Sequence, residues 1–314
     1  ADDANTEFPN IFQNFTISFD GFVNGETEEV LGGLPAFDCD YNGTVYKETF
    51  PITPSGYTSD NYNITFLNGT LTVRKAPVAV PAAVPNLVYS GKSQAGVLQG
   101  TGYTVSGSVG KNAGNYTATV ELIPGYTWPD STVSDKNVNW VIAKKPLTVT
   151  ADSKNMTFLG NVPEFTATYN GFVNGESKDV LTGTLKLNCS YDGTVYRKTF
   201  PITPKGLTSD NYDIIFADGT LTINRIPVAA PEAISDLVYT GKPQAGVFWG
   251  TGYTVSGNTG KNVGKYMAVV RLAQGYEWDD GSDTNKEISW AIFKKALTVT
   301  ADSKNMVFLG AVPE

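Results

Sequence analysis

The chain repeats itself at a fixed spacing, and that constrains its folding more than any other feature. Gly21 of GFVNGE returns as Gly171, and Pro51 of PITP as Pro201. Gly91 of YSGK returns as Gly241 of YTGK, and Gly102 of GYTVSG as Gly252. The offset is 150 residues each time, with no insertion between the copies. A third copy opens at Ala301 with ADSKNMVFLGAVPE, matching ADSKNMTFLGNVPE from Ala151. A unit this long exceeds one turn of a solenoid, so each copy is expected to hold whole domains. The sequence opens and closes inside a copy, and its ends are expected to be cuts in a longer array.

Each copy divides again at the Pro- and Ala-rich stretches APVAVPAAVPN (76–86) and IPVAAPEAISD (226–236), read as extended connectors leading into edge strands. The expected domains are 1–75, 76–145, 146–225 and 226–295, with 296–314 starting a further repeat. Within each domain the apolar period is two. Leu147 and Val149 alternate with threonines, Trp140 shares a face with Ile142 and Trp290 with Ile292, and KYMAVVRL alternates Tyr266, Ala268, Val270 and Leu272. Such runs are half-buried strands. With 32 glycines and 17 prolines between them, the chain is expected to be mainly β. Asn68-Gly69 and Asp218-Gly219, set between alternating runs, predict hairpins with type I′ turns. NGETEEVL (24–31) and NGESKDVL (174–181) allow a short helical turn capped by asparagine.

Composition removes several function classes. Histidine is absent, which excludes Ser-His-Asp and Cys-His catalysis and imidazole metal sites. A net charge of −8 without a basic stripe argues against nucleic acid. No apolar run reaches the roughly 20 residues of a membrane helix. Cys39 and Cys189 stand at equivalent positions, one per copy, and read as small buried hydrophobes rather than a disulfide pair. Paired carboxylates remain, at Asp210 with Asp213 and in WDDGSDTNKE (278–287), but domains of this size seldom enclose the cleft that glycosidase chemistry needs. An enzyme is not expected, nor a cofactor. The loop carrying Asp279, Asp283 and Glu287 is a weak calcium candidate, since its oxygen donors alternate; DCDYNG (38–43) is another.

The strings LTVTADSKNMTF, GFVNGESKDVLTGTL, YDGTVYRKTFPITPKG and SDNYDIIFADGTLTI resemble the MBG family, found as repeats in large bacterial surface proteins and adhesins. The intervening parts, with LVYTGKPQAG, GYTVSGNTGKNVGKYMAVVRL and WAIFKK, are similar to bacterial Ig-like repeats. The resemblance implies a tandem, elongated array of four small β-sandwich or β-grasp-like domains on the bacterial surface or secreted from it. The implied role is a stalk or adhesin scaffold; the alternative is a module binding host or matrix glycans or proteins. For such binding the candidates are aromatic: Trp249, which replaces the Gln99 of the first copy, and Tyr276, Trp278 and Trp128, expected near an exposed turn. The family pattern opens with an LTVT strand that the first domain lacks, while LTVT at 297–300, from Leu297 to Thr300, stands spare near the other end. Head-to-tail chain contacts through this segment are expected as a product of the cut.

Overall fold

The computed structural model describes residues 1–307; the expected repeat start at 296–314 therefore lies partly outside the described residues, at 308–314. The fold is almost wholly β, as expected, with two three-residue 3-10 turns at Glu28–Val30 and Lys178–Val180. These turns are all that the NGE segments form, so the helix of a β-grasp arrangement is not present among the described residues. The expected asparagine cap is also not used. Asn24 and Asn174 take left-handed φ of 59° and 54° ahead of a glycine, and the hydroxyl of Ser177 instead accepts the Asp179 N–H.

The second copy displays a complete first domain. One sheet has the order Lys154–Thr157, Gly219–Asn224, Thr199–Thr208, Thr182–Cys189. Its first pair is parallel, Lys154 opposite Leu221, and its second antiparallel, Phe200 opposite Leu221. A second sheet places Lys145–Ala151 between Ala167–Asn170 and Tyr212–Ala217. The string that signalled a hairpin is therefore two strands of different sheets. Gly219 does not have positive φ; a Cβ there would stand 2.4 Å from the carbonyl oxygen of Ala151, and at Gly69 2.5 Å from that of Ala1. The glycine serves close backbone approach rather than a turn, which is why Asn-Gly misled.

The first copy repeats the four-stranded sheet, in the order Ala4–Glu7, Gly69–Arg74, Thr49–Thr58, Gly32–Asp38. It has no counterpart of the other sheet: residues 17–20 and 62–67 form no strand.

The intervening domains centre on antiparallel strands. In the first, Lys136–Ile142 pairs with Gly114–Leu122, and that with Tyr103–Ser106. In the second, Lys286–Phe293, Gly264–Leu272 and Tyr253–Ser256 do the same, and Leu237–Val238 adds a parallel edge. The expected alternation holds here: Ala268, Val270, Trp290 and Ile292 are buried. Trp140 and Trp290 stack on Tyr116 and Tyr266 at 4.4 Å between centroids. The Pro-rich connectors begin with short parallel pairings, Ala76–Pro77 with Tyr126–Thr127 and Ile226–Val228 with Tyr276–Trp278.

The chain divides into two compact units. One comprises Ala1–Leu147, Asn170–Gly183 and Leu207–Ile215; the other comprises Thr148–Tyr169, Thr184–Gly206 and Phe216 onward. The first holds a core around Ile52 and Leu71 and another around Trp128, Trp140 and Tyr212. In the second unit, one core surrounds Phe200 and Leu221 and another Val247 and Trp290. Cys39 and Cys189 are free and half-buried against the Ile52 and Phe200 cores.

Gly246 lies under the Trp290 ring, where a Cβ would come within 1.9 Å of the indole, whereas at Gly264 it would meet nothing nearer than 4.0 Å. Gly246→Ala is expected to destabilise its domain by about 1–3 kcal/mol through overpacking. Gly264→Ala should leave it unchanged or stabilise it by roughly 0.4–1 kcal/mol. Urea unfolding followed by tryptophan fluorescence distinguishes the two.

Candidate functional site: a carboxylate between two phenols

The structural centre of the first unit's polar chemistry is a junction rather than a pocket. Glu176 follows the Asn174-Gly175 turn, and its carboxylate accepts from the Tyr89 hydroxyl at 2.6 Å and from the Tyr212 hydroxyl at 2.5 Å. Tyr212 Oη in turn accepts the backbone N–H of Val173 at 3.1 Å. The Tyr212 ring meets the edges of Tyr89 and Phe172, both at 5.4 Å and near 80°. Both phenols are buried, and the ring contacts join the apolar cluster of Trp140 and Leu147.

Backbone bonds seal the margin. Asn174 Nδ2 donates to the Gly91 carbonyl at 3.3 Å, and Ala113 N–H donates to Asn211 Oδ1 at 2.9 Å. Lys145 N–H reaches the Asn211 carbonyl at 3.0 Å, and Lys144 Nζ the Ser209 carbonyl at 2.7 Å. The hydroxyl of Ser209 accepts the N–H groups of both Asn211 and Tyr212, holding the SDNY turn in shape. A Cβ at Gly91 would lie 2.7 Å from that of Asn174, so the close approach requires glycine.

The electrostatics are those of a closed clasp. The Glu176 carboxylate, aided by burial, pushes the Tyr89 phenol up to about 12. Burial, then the same carboxylate, raises Tyr212. Both phenols stay protonated as donors across the physiological range.

Several expected site residues lie elsewhere. Trp128 and Trp278, expected to be exposed, are fully buried; each indole N–H donates at 2.7 Å to a carbonyl, of Ser134 and Thr284. The turn after each tryptophan folds back over the ring, so neither can stack on a sugar. Tyr276 is half-buried, with its ring over Gly252. Trp249 is 76% exposed beside Phe248, the only one of the four candidates whose face is free.

The calcium candidates do not converge. No group of three carboxylate or thiol residues that could hold a metal exists among the described residues. Asp283 pairs with Arg225 at 2.9 Å and Asp280 with Lys286 at 2.6 Å, and each cation holds its carboxyl below the usual range. Glu287 sits within a strand, opposite Val269. In the DCDYNG loop Asn42 Oδ1 is turned onto the Thr44 N–H. Among the described residues, one open groove of about 640 Å³ lies beside Leu187 and Cys189 and another of about 490 Å³ beside Tyr116 and Trp140. Neither is lined by a carboxylate, so the Asp210 and Asp213 pair faces no cleft there.

Residues 1–72 and 147–222 match the MBG domain (YGX type), two segments separated by residues 73–146. No curated protein matches the chain. Among solved structures it is similar to Drosophila N-cadherin EC1-4, at 11% identity over 84% of this chain and 93% of that one, with a TM-score of 0.24. Protocadherin gamma B2 extracellular cadherin domains 3-6 match at 8% identity over 96% and 99%, TM-score 0.23. Titin domains I67-I69 match at 12% identity over 84% and 100%, TM-score 0.21. At such scores these likenesses support no statement about activity or partners.

Sequence reasoning missed the clasp. Its signal was present, since NGE and SDNY both recur at the same offset, but their meeting with Tyr89 is a matter of tertiary structure. Tyr89→Phe is expected to cost the junction about 1.5–3 kcal/mol, as one hydrogen bond to a charged group. A phenol raised by folding contributes stability that is complete below its unfolded value near 10 and is lost as pH rises through about 12. Thermal melts of wild type and Tyr89→Phe should therefore differ at pH 8 and converge above pH 12.

Proposed function

We propose that this chain is part of the extracellular repeat region of a bacterial surface protein and serves as an extended stalk or adhesin scaffold. The observation that carries this reading is the clasp: within one compact unit, Tyr89 is tied to the MBG residues Glu176 and Tyr212 by direct hydrogen bonds and ring packing. A spacer must resist bending at its junctions, and short connectors with buried contacts supply that resistance. Phe8 supports it too, packing edge-on to Tyr126 at 5.5 Å and over Gly125 in the same unit, while Phe158 lies over Gly275 in the other. No described helix is long and apolar enough to cross a membrane.

Small-angle scattering tests the stalk. Four domains of about 30 Å in line give a radius of gyration of about 35 Å, against about 20 Å for a compact chain of this length. A value near the lower figure would sink the reading.

A second reading, recognition of host or matrix glycans, is favoured by one observation: Phe248 and Trp249 are adjacent and exposed in the second copy, where the first has Leu98 and Gln99. Saturable binding to a glycan, mucin or matrix array, lost in Trp249→Gln, is the expected result if the site is used. Binding retained by that variant would place recognition elsewhere.

A further inference from the structure

We propose that the second intervening domain binds an acidic saccharide at Trp249, Val255 and Arg271. Two neighbouring sugar hydroxyls bond the Val255 main chain, the sugar ring stacks on the indole, and an anionic group meets the guanidinium. The proposal rests on the glycan reading above and goes beyond it by fixing the charge of the ligand and the groups that hold it.

The site begins with a hydrogen-bonding position that the first copy fills and the second leaves open. In the first copy the Gln99 amide accepts the Val105 N–H at 3.1 Å and donates to the Val105 carbonyl at 2.9 Å. Val255 has the same register, opposite Val270 as Val105 is opposite Val120, so its N–H and carbonyl also point away from the neighbouring strand. Trp249 replaces Gln99, and an indole cannot make both bonds. Among the described residues no other group takes them up.

The opening is one residue long. Along this edge the outward positions are 253, 255 and 257. Tyr253 is already bridged to Gly250, and the Gly257 carbonyl accepts the Trp290 indole N–H at 3.2 Å. Addition of a peptide strand needs free groups on alternate residues of the edge, and here only Val255 offers them. The ligand is therefore one that answers a single donor and a single acceptor side by side. Two neighbouring hydroxyls do so, one accepting the N–H and the other donating to the carbonyl.

The ring comes from the same substitution. Trp249 stands where Gln99 reaches Val105 in the first copy, and it is 76% exposed. Leu98 and Gln99 are exposed as well, in a copy that is followed by a further domain, so the exposure belongs to the stretch itself. Sugar C–H groups, made positive by the oxygens beside them, complement the negative face of an indole.

The adjoining sheet face supplies the charge. In the first copy the outward residues of Gly114–Leu122 are Asn115, Thr117, Thr119 and Glu121, with Thr117 tied to Asn139 at 2.8 Å and Thr119 to Asn137 at 3.2 Å. The same positions of Gly264–Leu272 hold Lys265, Met267, Val269 and Arg271. The partner of Thr104 on the edge strand is Glu121, whereas that of Thr254 is Arg271, so the charge reverses one residue from the opening. Arg271 is exposed and belongs to none of the ion pairs among the described residues. Lys265 adds a second cation to this face and Glu287, opposite Val269, one anion. A face with one carboxylate thus becomes net positive, in a chain of net charge −8. Such a patch selects an anion, and a carboxylate or sulfate accepts two parallel bonds from the guanidinium fork.

Tryptophan fluorescence of the whole chain follows the site, because Trp249 is exposed and the other four tryptophans are buried. The probes are oligosaccharides of hyaluronan, which carries carboxylates, of chondroitin sulfate, which adds sulfates, and of cellulose, which is neutral. An acidic probe is expected to protect Trp249 from acrylamide quenching saturably, less so as salt is raised, and about tenfold more tightly than the neutral one. Protection by both acidic probes assigns the carboxylate to Arg271; protection by chondroitin sulfate alone assigns the sulfate. Arg271→Glu should remove the preference for acidic probes. Trp249→Gln should abolish binding, read by calorimetry because the reporter is lost. Both variants restore residues that the first copy carries at these positions, so folding is not at risk. Equal protection by acidic and neutral probes would overturn the proposal and leave the glycan reading standing. Acidic binding that survives either variant would also overturn it. No protection by any probe up to about 10 mM would overturn both.

Discussion

The backbone of a β-strand is satisfied only by the strands beside it, and in the second copy two strands, Ala167–Asn170 and Tyr212–Ala217, share one inner neighbour. In the second copy that neighbour is Lys145–Ala151. It gives Leu147 to the core of Trp140 and Tyr212, and Ala151 to the core of Phe200 and Leu221. In the first copy the segments 17–20 and 62–67, ISFD and YNITFL against ATYN and YDIIFA, form no strand. The four-stranded sheet forms in both copies because every strand it needs is present in each.

The clasp shows how an acidic chain without histidine can build a firm polar junction. Its ion pairs, Lys136 with Asp130, Arg225 with Asp283 and Lys286 with Asp280, all involve exposed carboxylates and contribute little after screening. Glu176 instead takes two neutral donors that are themselves buried in an apolar cluster. Phenols avoid the desolvation cost of a second charge, yet still give the strong hydrogen bonds of an ionised acceptor. The arrangement is also insensitive to pH over the range in which carboxylates are ionised and phenols are not. Beside it Gly91 packs closely on Asn174, whose amide donates to the Gly91 carbonyl at 3.3 Å.

What could be read from the residues alone was whatever depends on period and offset. The alternation of Tyr266, Ala268, Val270 and Leu272 predicted the buried face of a strand because side chains on a pleated backbone must alternate. Trp140 and Trp290 were legible in the same way, being in phase with an isoleucine on a strand. Trp128 and Trp278 were not, because what buries them is a turn several residues downstream whose carbonyl captures the indole N–H. The Asn-Gly reading failed for a related reason. A glycine permits both positive φ and close packing, and the chain's need at Gly219 is space for the Ala151 carbonyl, a long-range fact. The clasp lay beyond reach altogether, since its three side chains are separated by up to 123 positions and no local pattern records their meeting.

The places where the copies differ carry a separate kind of information. A repeat that keeps its core can vary only where no packing or hydrogen bond depends on the residue. Gln99 breaks that expectation, because its amide both donates to the Val105 carbonyl at 2.9 Å and accepts the Val105 N–H at 3.1 Å. It closes the outer side of Tyr103–Ser106, which ends its sheet. Trp249 cannot take over this work, since an indole has one donor and no acceptor. In the second copy the corresponding edge, Tyr253–Ser256, loses its side-chain cap at the same step that places an exposed aromatic beside it. An uncapped edge offers main-chain bonds, and an adjacent ring offers a stacking face. The substitution therefore removes a structural role and leaves a surface suited to recognition, which is the physical ground for weighing a binding role at Trp249 and not at the buried tryptophans.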